Sequence, residues 1–134
     1  TVSANGTYVY NVPYTGSSSS MILVDAKVNG SPCKMIFDTG AGICMFTADQ
    51  AAKVGMAPPP NAPTIPIMGV GGGSTAQLGT VSTLRLGTLE LKDIQCAIGG
   101  KSVAPYPLLG QTFFRDFHYS IDSVNKIIHL SKSK

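Results

Sequence analysis

The sequence predicts an all-β domain, built as a barrel or a sandwich. Strand-like segments recur at intervals of about ten residues, and glycine, proline or asparagine separates them. The 134-residue chain contains 15 glycines and 9 prolines, and only 13% of its residues are charged. A chain of this length suits one domain, and this composition is typical of a β-rich domain with many turns.

The distribution of charged and metal-binding residues excludes several classes of partner. The net charge is +3, with Lys and Arg scattered, so a nucleic acid is not expected as partner. No apolar stretch approaches the ~18 residues of a membrane span. Cys33, Cys44 and Cys96 form no Cys-x-x-Cys pair, and His118 and His129 lie far from them in sequence. We therefore expect no metal or cofactor, and either buried thiols or one disulfide with one free thiol.

The first half of the chain begins with a polar, turn-rich segment. We interpret residues 1–20 as an N-terminal arm that contributes a strand at an edge or an interface, and residues 21–134 as the domain proper. Met21–Val28 and Cys33–Phe37 are strand-like on either side of Asn29-Gly30. Asn-Gly between two such segments predicts a tight hairpin.

The next segment, Thr47–Val54, is the best helical candidate in this half. Thr47 can cap its first turn, and Gly55 can end it. Ala57–Pro66 contains five prolines, which exclude a helix and disfavour a strand. We expect an extended surface connection there.

The second half of the chain is predicted to form hairpins and one further short helix. Ile65–Leu78 carries four glycines between strand-like flanks, which predicts a glycine-rich hairpin. The remaining predicted elements are strands at Val81–Leu86, Leu89–Leu91 and Ile94–Ile98 with turns at Gly87 and Lys92-Asp93, a helical segment at Gln111–Arg115, and a closing hairpin of Phe117–Ile121 and Lys126–Leu130.

Asp38 is the candidate reactive residue, because it directly follows the apolar run Met35–Phe37. A carboxylate at the end of a buried strand costs free energy unless it is neutralised or hydrogen-bonded, which indicates either a structural turn or a reactive site. We expect Gly40 to adopt backbone angles closed to other residues and to bring its amide to the carboxylate, while the Thr39 hydroxyl fixes the loop. Two carboxylates ~3 Å apart share a proton and can activate a water molecule.

Two motifs carry a family resemblance. Phe37-Asp38-Thr39-Gly40-Ala41 resembles the active-site loop of the aspartic proteases, in its retroviral-type (retropepsin-like) form. Leu108-Leu109-Gly110 resembles the second signature of that family, and the run from Leu108 to Leu130 is similar to the end of its bacterial single-domain members. The resemblance covers Met21 to Leu130 and implies an acid-protease closed barrel with a flap hairpin and one or two short helices.

The resemblance also implies roles for individual residues. Asp38 would be the catalytic aspartate, Thr39 would interlock two active-site loops by hydrogen bonds, and Gly40 and Ala41 would support the carboxylate. Residues 67–76 would form the flap over the substrate. The flap residues with expected substrate contact are Ile67, Met68, Gly69, Val70, Gly71, Gly72 and Gly73, and Leu108, Leu109 and Gly110 are expected to pack beneath the active-site loop.

The chain contains one Asp-Thr-Gly, whereas the implied reaction needs two aspartates. We therefore expect a homodimeric aspartic endopeptidase acting on peptide or protein substrates, or a second lobe if the chain is part of a longer protein. Gly42 departs from the family, which has Ser, Asp or Asn there. A catalytically weak or inactive dimerisation or peptide-binding module of the same fold is therefore the alternative. Bacterial relatives of this kind are often extracytoplasmic, which favours a periplasmic or secreted location.

Motifs for other functions either lack the structural context that they require or do not occur in the sequence. Gly71 to Ala76 matches the dinucleotide-binding spacing G-x-G-x-x-A, but the strand-like residues after it exclude the helix that this motif requires. The sequence contains neither a P-loop nor the G-x-S-x-G of a serine hydrolase.

Overall fold

The computed structural model describes residues 7–18, 21–69, 72–99 and 105–133. These residues form mostly strands, with two short helices. In chain order the elements are β1 (Thr7–Pro13), β2 (Thr15–Ser18), β3 (Met21–Val28), β4 (Ser31–Phe37), β5 (Cys44–Phe46), α1 (Ala48–Lys53), β6 (Thr64–Gly69), β7 (Gly72–Leu86), β8 (Leu89–Ile98), β9 (Leu108–Leu109), α2 (Gln111–Phe114), β10 (His118–Asp122) and β11 (Ile127–Ser133).

The main sheet closes into a barrel. Its strand order is β2-β3-β4-β9-β5-β8-β7-β6, and β7 pairs a second time, with β3. That second pairing runs from Ala26–Leu86 to Val28–Leu84 and completes a ring of six strands. The all-β closed barrel with short helices is therefore confirmed.

The hairpin of β3 and β4 follows the sequence pattern closely. Buried side chains alternate along β3 because one of its faces lines the barrel interior. Asn29 and Gly30 both have positive φ, 52° and 85°, as the tight hairpin turn requires. The turn is held against β7, because the Asn29 N–H donates to the Thr83 carbonyl over 2.9 Å and the Thr83 N–H donates to Asn29 Oδ1 over 3.1 Å.

Helix α1 begins and ends where its capping residues predict. The Gln50 N–H donates to the Thr47 side chain over 3.1 Å, and the Thr47 N–H donates to Gln50 Oε1 over 2.9 Å, which forms a capping box. Gly55 follows the C-terminal residues of the helix with a left-handed φ of 73°. On the face of α1 toward the barrel, Ala51 is fully buried.

Two local predictions were wrong. No turn forms at Lys92-Asp93, because β8 continues through it; pairing with β7 is interrupted after Val81–Ile94 and resumes in the same register at Thr83–Lys92, and Asp93 has a φ of 56°. The extended connection was expected to run from Ala57 to Pro66, but Thr64, Ile65 and Pro66 lie within β6. Proline has no backbone N–H to donate. Because β6 is the last strand in the sheet order, Pro66 is tolerated there without the loss of a hydrogen bond between two interior strands.

A second sheet of three strands, in the order β1-β11-β10, combines the first strand of the chain with the last two. Residues 7–18 of the N-terminal arm provide β1, which pairs with β11, and β2, which pairs with β3; residues 1–6 and 19–20 lie outside the described residues. Val12 of β1 is part of the core. No helix in the described part of the chain is long and apolar enough to cross a membrane.

The core contains the aromatic side chains of the α2 region. Phe113 and Phe114 are buried in the core, and the half-buried Phe117 packs against the core cluster. The three cysteines are free thiols; Cys44 and Cys96 are fully buried, and Cys33 is half-buried.

Candidate active site

Asp38 lies at the end of β4, between the barrel interior and the surface. Strand β4 pairs with β3 on one side and with β9 on the other, so Met35, Ile36 and Phe37 are all buried. The next residue, Asp38, is half-buried. The strand therefore fixes the backbone of the carboxylate while its side chain stays accessible.

The loop after β4 turns back toward the Asp38 carboxylate. The Gly40 N–H donates to Asp38 Oδ1 over 2.9 Å, and the Ala41 N–H donates to the Asp38 carbonyl over 3.3 Å. Gly40 does not have a left-handed φ, so the expectation of special backbone angles was wrong. A Cβ at Gly40 would lie 3.4 Å from Asp38 Oδ1, so glycine here keeps the space beside the carboxylate open.

The second signature lies directly against this loop. Strand β9 runs parallel to β4, with Phe37 opposite Leu109, and the Asp38 N–H donates to the Leu109 carbonyl over 3.1 Å. A Cβ on Gly110 would lie 2.5 Å from the Ile43 carbonyl oxygen. Only glycine permits this close approach of two backbones, and the approach brings α2 against the Asp38 loop.

Gln111 holds the loop on both sides of Gly40. Its N–H donates to the Ala41 carbonyl over 2.8 Å, and its side-chain Nε2 donates to the Thr39 carbonyl over 2.9 Å. The two acceptors flank the amide that binds the Asp38 carboxylate. Gln111 therefore stabilises the loop conformation that supports this carboxylate.

Thr112 connects α2 to two barrel strands. The Cys44 N–H donates to Thr112 Oγ1 over 3.1 Å, and this hydroxyl donates to the Gln95 carbonyl over 2.8 Å. Neither Gln111 nor Thr112 was predicted from the sequence as a site residue. The available signal was two polar side chains directly after Leu-Leu-Gly, at the start of a helix otherwise made of phenylalanines.

The buried cysteines are structural and cannot serve as nucleophiles at neutral pH. The Gly110 N–H donates to Cys44 Sγ over 3.4 Å. Cys44 and Cys96 face each other on the parallel strands β5 and β8. Burial raises the pKa of Cys44, and burial together with the nearby Cys44 raises the pKa of Cys96 to about 12. Both thiols therefore stay protonated and unreactive.

Gly42 and Thr39 both lie at the exposed side of the loop. A Cβ built on Gly42 has no neighbouring atom within 4 Å, so the polar residues usual in the family would fit there without rearrangement. The Thr39 hydroxyl has no hydrogen-bond partner among the described residues. Its side chain is therefore available to a neighbouring molecule.

The glycine-rich hairpin forms where the sequence predicts it. Strands β6 and β7 pair from Thr64–Gln77 to Gly69–Gly72, so Ile67, Met68, Gly69, Gly72 and Gly73 lie in the two strands. Val70 and Gly71 lie outside the described residues. Ala76, nearer the base of the hairpin, is buried, whereas Gly73 and Thr75 are exposed. Strand β3 lies between β7 of this hairpin and β4, so the hairpin does not pair with the strand that ends at Asp38.

Comparison with known proteins agrees with this geometry. A family model described as aspartyl protease matches residues 24–113. A retropepsin-like aspartic protease from Rickettsia conorii has a similar structure, with a TM-score of 0.72 and 23% identity over 94% of this chain and 93% of that one. The EIAV protease complexed with the inhibitor HBY-793 is also similar, with a TM-score of 0.60 and 20% identity over 76% of this chain and 92% of that one. No significant match was found among curated proteins.

Proposed function

The chain belongs to the aspartyl protease family, and on that premise we propose that it is a homodimeric endopeptidase whose catalytic pair consists of Asp38 from each subunit. One observation carries the proposal. The half-buried Asp38 carboxylate at the end of β4 is held through Oδ1 by the Gly40 N–H at 2.9 Å. Its Oδ2 has no partner within the part of the chain that the structure describes. The carboxylate is thus oriented while one oxygen stays available for chemistry.

The need for a second subunit follows from the number of carboxylates. The sequence contains one Asp-Thr-Gly, and a single carboxylate cannot remove a proton from water and donate a proton to the carbonyl oxygen in the same step. A two-fold axis beside Asp38 would bring two copies together. The exposed Thr39 side chain, which lacks a described partner in its own chain, would then hydrogen-bond to the opposite loop.

The reaction follows from a pair of carboxyl groups that share one proton. The ionised carboxylate takes a proton from the bound water as the water oxygen attacks the peptide carbonyl carbon. The protonated carboxyl group donates its proton to the carbonyl oxygen, which gives a tetrahedral diol. When the C–N bond breaks, the carboxyl group that received the water proton passes it to the departing nitrogen, and the other carboxylate takes a proton from a diol hydroxyl as the C=O bond forms again. The pair then returns to its starting protonation state and needs no metal or cofactor.

The hairpin of β6 and β7 would bind the substrate. We propose that Ile67 to Gly73 form a flap against which an extended peptide adds as a further strand. Its glycines permit close backbone contact and movement when the substrate enters. Leu108, Leu109 and Gly110 would keep the Asp38 loop in place beneath the substrate.

Cleavage of an unfolded protein substrate tests this proposal. Wild type and Asp38→Asn would be compared from acidic to neutral pH, with and without a metal chelator. Asparagine has nearly the same shape but cannot hold the shared proton, so cleavage should be lost in the variant and unaffected by chelation. Equal cleavage by both proteins would show that Asp38 is not catalytic. No cleavage by a dimeric wild type would instead support a non-catalytic peptide-binding module.

A further inference from the structure

Strand β6 forms a free edge of the main sheet, because it is the last strand in the sheet order and pairs with β7 alone among the described residues. In an antiparallel pair, residues whose N–H and C=O groups bond to the partner strand alternate with residues whose groups point away from it. The free edge of β6 therefore exposes the backbone groups of every second residue.

One hydrogen bond identifies these residues. The Leu78 N–H donates to the Pro63 carbonyl over 2.9 Å, and these two residues lie one step beyond the pair of Thr64 and Gln77, in the same register. The carbonyl of Pro63 is therefore directed toward β7, and so are the backbone groups of the residues that follow it in steps of two. The β6 residues whose backbone groups point to the free edge are Thr64, Pro66 and Met68.

Pro66 interrupts this row of backbone groups. Thr64 and Met68 each offer an N–H and a C=O at the free edge, whereas Pro66 offers only its carbonyl. The Cδ atom of its ring takes the place of the amide hydrogen, and it would collide with the carbonyl group of an added strand. Pro66 is exposed, so this obstruction lies at the surface that an added strand would approach.

The position of Pro66 along the hairpin decides where the obstruction acts. Met68 lies nearer the tip of the hairpin, and Pro66 lies two residues, or about 7 Å, nearer its base. An extended peptide that pairs with Met68 can exchange two hydrogen bonds there. The same peptide reaches Pro66 at its next pairing position and finds no donor.

We propose that Pro66 is a specificity-determining residue that ends the pairing between a peptide substrate and β6 immediately after Met68. This inference rests on the proposed function and specifies how much of the substrate the flap binds through its backbone. In the proposed homodimer the two-fold axis relates two copies of β6, so the limit applies to both halves of the substrate. Substrate residues beyond the partner of Met68 should then add nothing to binding by the flap.

A series of peptide substrates of increasing length tests this limit. The peptides are centred on a site that wild type cleaves in unfolded casein, and each is two residues longer at both ends than the one before. For wild type, kcat/KM should rise until the peptide reaches Met68 and then stay constant. For Pro66→Ala, kcat/KM should rise by about 2–10-fold in one further step, because the new N–H donates one more hydrogen bond.

Pro63→Ala is the matched control, because it makes the same substitution three residues earlier in the same segment. The N–H that it adds would point to Leu78 of β7 and not to the free edge. Its kcat/KM should therefore become constant at the same peptide length as that of wild type. Circular dichroism would confirm that both variants are folded.

Hydrogen exchange measured by NMR locates the end of the pairing directly. In Asp38→Asn, which should bind the peptide without cleaving it, the longest peptide should slow exchange of the Met68 amide at least about tenfold and leave the Thr64 amide unchanged. When Pro66→Ala is added, the amide at position 66 should be protected as well. Protection of the Thr64 amide while Pro66 is present would show that the peptide pairs past the proline, and would overturn the inference.

The outcomes separate this inference from the proposed function. If wild type and Pro66→Ala cleave the series but reach constant kcat/KM at the same length, the role of Pro66 is overturned and the Asp38 pair is left intact. If Pro63→Ala gains as much from long peptides as Pro66→Ala does, the role of Pro66 is also overturned, because the gain would then come from a more flexible chain. A dimeric wild type that cleaves no substrate would overturn the proposed function and this inference with it.

Discussion

Replacement of Thr112 by valine tests the connection between α2 and the barrel. Valine has the same shape but removes the hydroxyl that accepts the Cys44 N–H over 3.1 Å and donates to the Gln95 carbonyl over 2.8 Å. Cys44 is fully buried, so its amide would lose its acceptor without access to water. Gln95 is exposed, so water can replace the lost donor at its carbonyl.

The expected loss of stability comes almost entirely from the Cys44 amide. A buried donor without a partner costs ~1–3 kcal/mol, and the carbonyl of Gln95 adds little. Thr112→Val should therefore lower the free energy of unfolding by about 2 kcal/mol, which corresponds to a decrease in Tm of roughly 6–10 °C for a chain of this size.

Urea denaturation at one fixed protein concentration would measure this effect, because association would otherwise change the apparent stability. Thr112→Ser is the matched control, since it keeps the hydroxyl and loses only a methyl group, at a cost below about 1 kcal/mol. A valine variant within about 0.5 kcal/mol of wild type would refute the reasoning, since surface changes alone are of that size. Equal losses in both variants would also refute it, because they would assign the effect to packing.

Three further predictions concern the loop and the closing hairpin. Gly110→Ala should destabilise the fold by more than about 3 kcal/mol, because its Cβ would lie 2.5 Å from the Ile43 backbone oxygen; a Tm close to that of wild type would contradict the proposed close approach. Gln111→Met should lower kcat about tenfold with little change in Tm, because the Thr39 carbonyl loses its donor at an exposed site; an unchanged kcat would contradict its role in positioning the loop. Hydrogen bonds from Asn125 hold the pKa of Asp122 in the folded protein below its ordinary value of 3.8. The ionised carboxylate therefore stabilises the folded protein fully at pH values above the ordinary pKa. This stabilisation is lost as the pH falls through the lower pKa that Asp122 has in the folded protein. The Tm difference between wild type and Asp122→Ala should therefore shrink below about pH 4, and a constant difference would contradict this.

The site itself was only partly accessible to sequence reasoning. The Asp-Thr-Gly loop was identified because a carboxylate after a buried apolar strand is costly and therefore informative. Gln111 and Thr112 were missed because their partners lie 72 and 68 residues away in the sequence. No local pattern encodes such a contact.

The sequence by itself determined the local structure, because the forces that set it act within a few residues. The Asn29-Gly30 turn, the capping box of Thr47 and Gln50 and the alternation along β3 depend on backbone angles and neighbouring side chains. Only the tertiary structure decided how these elements meet. The approach of Gly110 to the Asp38 loop and the contact of Thr112 with β5 and β8 depend on which strands become neighbours when the barrel closes. That choice is made by burial summed over the whole core, and no single segment contains it.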